Sequence, residues 1–476
     1  MTTRVFCFGF FCFVSLFAFV LGESLYASTN GLDNEICGDY DTPCSLVNAI
    51  EIAKPNDSVL LFPGTYYEDT ISINEKSLSI SGMDGGTVTL TTSRDSSTPQ
   101  KLFHVTNSNL NITGIVFDQC SDTCIYTEKG NYTVVERCTF VNNGENANSG
   151  GSINSNSLVE IRDSVFRNNI IYSMNALGGG VGTVMIHGAA VSAKRARMFG
   201  CEFSNNAVIF NGQPSSKLIF AYGGAVYITE SGNFTDCTFK NNSISSGFFY
   251  YASGGAIRCP EIISVSSTYI ENVVETTGIG GGTTEATNSR FATGGAINAD
   301  NSVYVSNNTF ERNRAYSSGY SSYGGSFGGA INGGIMTIDS CMFNNNFAST
   351  EVTSLWESKN SGNSNGGAVY GSHVFISSSI FQDNKATAFS SDTESDIDTT
   401  AIAGAVIGVE DVNCIDTSFF NNIVTATSLN SDAYGGATSG WNVRFTNCNF
   451  SNNTAPSGGA FGNFMNNNDQ LIMDNC

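Results

Sequence analysis

The stretch GGAVYITESGNFTDCTFKNN, residues 223–242, decides how this chain is read. It opens on a glycine pair running into a short apolar segment and closes on Phe-X-Asn-Asn. Both motifs recur along the chain. Aligned on the closing position, ten units follow one another at Phe140, Phe166, Phe203, Phe239, Ile270, Phe310, Phe343, Phe381, Phe419 and Phe450. From Phe166 onward each unit is preceded by the glycine motif, whose second small residue is read as Gly151, Gly188, Gly224, Gly255, Gly295, Gly329, Gly367, Gly404 and Gly436. From that glycine to the closing position there are 14 or 15 residues in every case, whereas from each closing position to the next glycine there are 11 to 25. One arc of the repeat therefore has a fixed length, and the other reads as a loop of free length.

The fixed arc has strand periodicity. Five residues before each closing position stand Val135, Ile161, Met198, Phe234, Val265, Val305, Ile338, Ile376, Cys414 and Phe445, all apolar, and the position two further back is mostly apolar too. A spacing of two marks one face of a strand. The column two residues before the aromatic, which includes Cys138, Cys201, Cys237, Thr268, Cys341 and Cys448, has the opposite parity to the preceding strand face, so the backbone bends between them. Strand, corner, strand and loop, repeated in register, describe an all-β fold: a single-stranded parallel β-helix, a solenoid of about eleven coils and about 55 Å. Phenylalanines are expected to stack on phenylalanines, and corner asparagines to form amide ladders. The glycine pairs supply positive φ or a turn too crowded for a Cβ. Helical solenoids are excluded by the period of two and by the abundance of Ser, Thr, Asn and Gly.

The pairs Gly223-Gly224-Ala225-Val226, Gly254-Gly255-Ala256-Ile257, Gly294-Gly295-Ala296-Ile297, Gly328-Gly329-Ala330-Ile331 and Gly366-Gly367-Ala368-Val369, each answered by its downstream unit, resemble the repeat of the chlamydial polymorphic outer membrane proteins. Those are β-helical surface adhesins and autotransporters, and the resemblance covers roughly residues 130–476. Upstream, SLVNAIEIAKPNDSVLLFPGTYYEDTISI (45–73) is similar to the start of right-handed pectin-lyase-like β-helices. Ser45 is placed to cap a short helix over Leu46 to Ala53 that plugs the first coil. This divides the chain into a signal peptide (1–22), an N-terminal cap with the first strands (23–75) and β-helix repeats (76–476). The resemblance lacks the family's membrane barrel, and LIMDNC halts where another unit is due, so the sequence reads as truncated, with membrane association left to a missing C-terminal anchor.

Arg4 followed by the apolar run Val5 to Leu21 reads as a secretory signal and implies a secreted or cell-surface protein. Eight sequons, at Asn56, Asn111, Asn131, Asn233, Asn241, Asn307, Asn449 and Asn452, are candidate glycosylation sites. Twelve cysteines remain beyond the signal. Cys37 with Cys44, and Cys120 with Cys124, are candidate disulfides, while Cys201 and Cys237, equivalent positions in consecutive coils, are within reach of pairing along the stack or else form part of a buried thiol column, the reading preferred here. A net charge of -21, from 21 basic and 42 acidic residues, disfavours nucleic acid as a partner.

Polysaccharide cleavage on such a fold needs paired carboxylates, or a calcium site with a basic residue. Acidic residues in the fixed arcs, Glu160, Asp163, Asp236 and Asp339, do not recur, and no polygalacturonase or pectin methylesterase signature is present. His104, His187 and His373 lie in separate coils, His187 reading as a corner side chain. Asp392, Glu394, Asp396 and Asp398 read as a solvated acidic loop. No catalytic residue, metal ligand or cofactor is assigned. Two loops mix aromatics with Ser and Gly, a composition suited to recognition. Their candidate residues are Phe248, Phe249, Tyr250, Tyr251, Tyr316, Tyr320 and Tyr323. The sequence is thus read as a non-enzymatic scaffold that binds a glycan or cell-surface protein through these loops. The alternative is a polysaccharide-cleaving lyase or glycoside hydrolase of the pectin-lyase-like fold.

Overall fold

The computed structural model describes residues 22–92, 99–130, 132–147, 149–172, 183–210, 218–246, 251–278, 290–319, 323–352, 361–390, 398–428, 430–462 and 470–476. The signal-like segment lies outside them. The chain forms a parallel β-solenoid of about eleven turns. One coil shows the plan. The strand Val226–Thr235 lies in a broad sheet, Thr238–Lys240 in a narrow one, and Ser243–Ser246 and Tyr251–Ser253 in two further ladders, before Gly254-Gly255 returns the chain to the broad sheet. Among the described residues these four sheets hold 20, 13, 8 and 8 strands.

Each corner has a local cause. Between broad and narrow sheets one residue takes the left-handed conformation, as at Asp163 (φ 48°), Asp236 (φ 53°) and Asn307 (φ 55°). Asp and Asn tolerate it because their short polar side chains bond locally. This kink produces the change of parity visible in the sequence. At the next corner the first Asn of Phe-X-Asn-Asn repeats it (Asn168, Asn205, Asn241), and the second is buried in a ladder. Asn313 donates from both its backbone N–H and its Nδ2 to Asn346 Oδ1 (3.0 and 3.0 Å), and from Nδ2 to the carbonyl of Tyr269 (2.9 Å). At the glycine pair, Gly294 has φ +61°, and a Cβ on Gly295 would stand 2.0 Å from the Gly329 carbonyl oxygen of the next coil. The first glycine is therefore chosen for conformation and the second for clearance.

The core is a stack of rings. Phe117 to Phe450 lie face to face at centroid separations from 4.6 Å (Phe117–Phe140) to 5.1 Å (Phe381–Phe419), the spacing of the coils themselves. One member differs from the sequence reading. Tyr269, not Ile270, pairs with Phe239 and Phe310 and is fully buried. The arc from Gly255 is 14 residues, one shorter than the alignment on Ile270 gave and equal to the arcs from Gly329, Gly367 and Gly436, and Pro260 lies between its two broad-sheet strands, Ile257–Arg258 and Glu261–Val265. The same shift turns Ser264 and Ser267 inward in place of Val265 and Thr268. Ser264 Oγ lies 2.8 Å from Tyr269 Oη, so the one phenol in the stack has its partner inside the core. The glycine column also needs one correction. Gly188 takes the first, left-handed position (φ +60°) and Ala189 the second. Arcs of 14 and 15 residues meet at a register shift, as between Ala299 and Ser302, whereas the neighbours Ile331–Asp339 and Val369–Ser377 run in unbroken register.

The arc of free length is not a plain loop. It leaves on one ladder and returns on the other, and the two pack face to face as a fin on the solenoid. Ile171, Val208, Ile244 and Val274 meet Ile186, Ala221, Ala252 and Ala292 in a second apolar core. Further along, serines tie the ladders together, Ser326 Oγ to the Ser349 carbonyl (2.6 Å) and Ser364 Oγ to that of Ala348 (2.7 Å). At the N-terminal end the helix Leu46–Ile52 covers the first coil, with Ser45 Oγ accepting from the Asn48 N–H (3.3 Å), and Cys37 is bonded to Cys44. Cys120 is bonded to Cys124, while Cys201 and Cys237 remain buried thiols.

Candidate functional site

Where the returning ladder of the fin meets the broad sheet, the glycine turn leaves an inside corner that runs along the molecule. At several coils the last residue before a glycine turn meets the second strand residue after one across this corner, as His187 and Tyr222 meet Tyr227, Phe327 meets Tyr370 and Ile402 meets Ile407. The resulting groove extends from His187 to Tyr434, seven coil steps or roughly 34 Å.

Its first end is a cavity of about 490 Å³ lined by Tyr126, Ser149, Asn154, Asn156, His187, Ser192, Lys194 and Tyr227. The His187 ring stacks on Tyr227 at 4.2 Å, and its Nδ1 lies 2.8 Å from Ser149 Oγ and 3.4 Å from Ser192 Oγ. Burial pushes the His187 imidazole down to about 4, so it is neutral at pH 7. Lys194 pairs with Glu230 (3.1 Å), as does Arg195 (3.7 Å).

The middle of the groove is built from Tyr222, Tyr251, Arg258 and Asp300. Tyr222 lies 5.8 Å from Tyr227 and 6.1 Å from Tyr251, ring to ring. The Arg258 guanidinium sits over the Tyr222 ring (5.7 Å) and its Nη2 is paired with Asp300. Arg258 Nε and Nη1 and Ser253 Oγ are buried here without a hydrogen-bond partner, as is Asn365 Oδ1 beside Phe327 toward the far end. At the far end Phe327 meets Tyr370 edge to face (5.0 Å), and Ile402 and Ile407 pack with Tyr370 and Tyr434.

Of the residues singled out from the sequence, Tyr251 lines this groove. Tyr316 lies on the opposite ladder of the fin, its Oη 2.7 Å from Glu351 and Arg314 over its ring. Phe248, Phe249, Tyr250 and Tyr320, and the side chain of Tyr323, lie outside the described residues, as do Asn131 and the acidic residues Asp392, Glu394 and Asp396. Asn56, Asn233, Asn241, Asn307, Asn449 and Asn452 are exposed, and Asn111 is half-buried. His187, read as a corner side chain, does stand at a corner, but it lines the cavity. His104 pairs with Glu128 (3.4 Å) and His373 with Asp411 (2.7 Å) and Glu410 (3.2 Å). Among the described residues no group of three or more His, Cys, Asp or Glu side chains could hold a metal ion.

Sequence reading missed Tyr222, Tyr227, Arg258, Phe327 and Tyr370. The signal was present, because these residues stand just before or shortly after the glycine pairs, as in Tyr222-Gly223-Gly224-Ala225-Val226-Tyr227. Without the fin there was nothing for them to face.

No protein-family model and no curated protein matches the chain. Among solved structures it is similar to the pectate lyase Pel9A (TM-score 0.28, 13% identity, covering 86% of this chain and 78% of that one). It is also similar to a mannuronic acid specific polysaccharide family 6 lyase from human gut microbiota (TM-score 0.24, 9% identity, covering 86% and 91%). Both are enzymes, and the expectation that this chain is not one is corrected on that finding. At such TM-scores the likeness assigns no residue and no substrate.

Proposed function

We propose that the chain is an exported polysaccharide-processing β-helix, in which the groove holds a length of polymer and the His187 cavity holds its reacting part. The observation that carries this reading is the continuous inside corner, with half-buried aromatic rings at both ends and amides, hydroxyls and one arginine between them. Ring faces stack on the C–H faces of sugars, and convergent polar groups fix their hydroxyls. A neutral imidazole at an open cavity is in the form that can take up a proton. In the tautomer whose Nδ1–H donates to Ser149 Oγ, the Nε2 of His187 is free to accept one. The signal-like N-terminus and the two disulfides agree with export.

The test is incubation of the full chain with a panel of acidic and neutral polysaccharides, read by reducing-sugar release and by unsaturated-product absorbance. His187→Ala is expected to lower turnover at least 100-fold while polymer retardation in affinity gels persists. Turnover unchanged in His187→Ala defeats the assignment of the reacting end, and a wild-type chain that neither binds nor cleaves any polymer defeats the whole reading.

A further inference from the structure

We infer that the middle of the groove is a subsite for an uncharged sugar, gripped through neighbouring hydroxyls by the Arg258–Asp300 pair. The inference rests on the polysaccharide reading above and adds to it the chemical class of the ligand.

Three observations carry it. The first is an unmet demand for hydrogen bonds. The Arg258 side chain is only 12% exposed, yet Nε and Nη1 have no partner, and neither does the fully buried Ser253 Oγ at the end of the returning strand in the same coil. Buried donors without partners are destabilising and mark where a ligand group can bind. The second is a stacking surface, since the Tyr222 ring lies against the guanidinium and opens on the same groove.

The third is charge. Arg258 comes from Ile257–Arg258 and Asp300 from the next coil, and their contact leaves the pair with no net charge. Lys194 and Arg195 at the neighbouring cavity are likewise matched by Glu230, and the whole chain carries -21. A carboxylated sugar would have to compete with Asp300 for the guanidinium and would meet a repulsive field. A pair of adjacent hydroxyls suits the site better, one oxygen accepting from Arg258 and one O–H donating to Asp300. An uncharged polymer lacks the carboxylate that makes a neighbouring ring proton acidic. Unsaturated-product absorbance is then not expected from such a polymer in the panel above.

The experiment measures binding of the full chain by calorimetry to neutral glucan, galactan and mannan oligosaccharides and to oligogalacturonate and oligomannuronate of matched length. The wild type is expected to bind a neutral series at least ten-fold more tightly than either acidic one. Arg258→Gln is expected to weaken neutral binding ten-fold or more. Asp300→Asn is expected to weaken it similarly while raising affinity for the acidic oligomers, a reversal that a merely structural role would not produce. Circular dichroism confirms that each variant keeps its strands. Preference of the wild type for the acidic series overturns the inference. So does neutral binding that is lost in Tyr227→Ala yet unchanged in Arg258→Gln and Asp300→Asn, a result that leaves the polysaccharide reading standing. Failure of both series to bind overturns the two together.

Discussion

At the scale of the residue, two ionisable side chains are held in their neutral forms and respond to pH in opposite senses. His187 is driven down to about 4 by burial, so its folded-state pKa lies below the unfolded one. The associated stability is complete above about pH 6.5 and is lost as pH falls through about 4. Glu68, beside the N-terminal cap, is raised to about 7, first by burial and then by Asp69 and Asp33. Its contribution is complete below about pH 4.3 and is lost as pH rises toward 7. Thermal unfolding followed from pH 4 to 8 is expected to show His187→Gln protecting the fold at the acidic end and Glu68→Gln at the neutral end, relative to the wild type. If both variants track the wild type across that range, the burial argument fails. Tyr269 makes a related point about packing. A phenol entered the ring stack because Ser264 turned inward with it, and Ser264 Oγ also accepts from Asn308 Nδ2 at 3.0 Å.

At the scale of the element, the solenoid is held by columns rather than by single strands. A three-residue strand such as Thr309–Glu311 has no independent stability. It persists because Phe310 is stacked on both sides and Asn313 is bonded to the coil before and the coil after. Asn313→Leu removes the partner of Asn272 as well as its own bonds, leaving buried amide groups unsatisfied at about 1–3 kcal/mol each. The expected result is a loss of about 3 kcal/mol or more in urea unfolding, larger than for the exposed corner residue Asn345→Ala, which loses about 1 kcal/mol because Asn345 holds a left-handed φ of 54° that alanine disfavours. Equal effects in the two variants would show that the ladder is not a main support.

At the scale of the whole molecule, the groove belongs to no single coil. Tyr227 and Tyr370 stand four coil steps apart along it, roughly 19 Å. A polymer that spans the groove is expected to weaken several-fold with either Tyr227→Ala or Tyr370→Ala and by the product of the two in the double variant. A disaccharide is expected to sense at most one of them. Retardation gels with polymer and calorimetry with disaccharide read this directly, and independence of polymer binding from Tyr370 would confine the site to the His187 cavity.

The repeat, its strand period, its Phe and Asn columns and its capping helix were legible in the sequence because each is set by neighbours within one coil or by identity between coils. The tyrosine that replaces a phenylalanine was misplaced by one residue because arcs of 14 and 15 residues both occur and Ile270 follows Tyr269, so spacing alone could not choose between them. The fin was illegible for a stronger reason. Ser243–Ser246 and Ser361–Asn365 have little strand propensity of their own and become strands by lying between copies of themselves. By itself, then, the sequence determined that the chain coils and what fills each coil, since those contacts repeat at fixed separations along it. Only the tertiary structure decided that the variable arcs fold back as a second pair of sheets. That packing placed His187, Tyr227, Arg258 and Tyr370 along one groove, because side chains from different coils share a surface only once the coils are stacked.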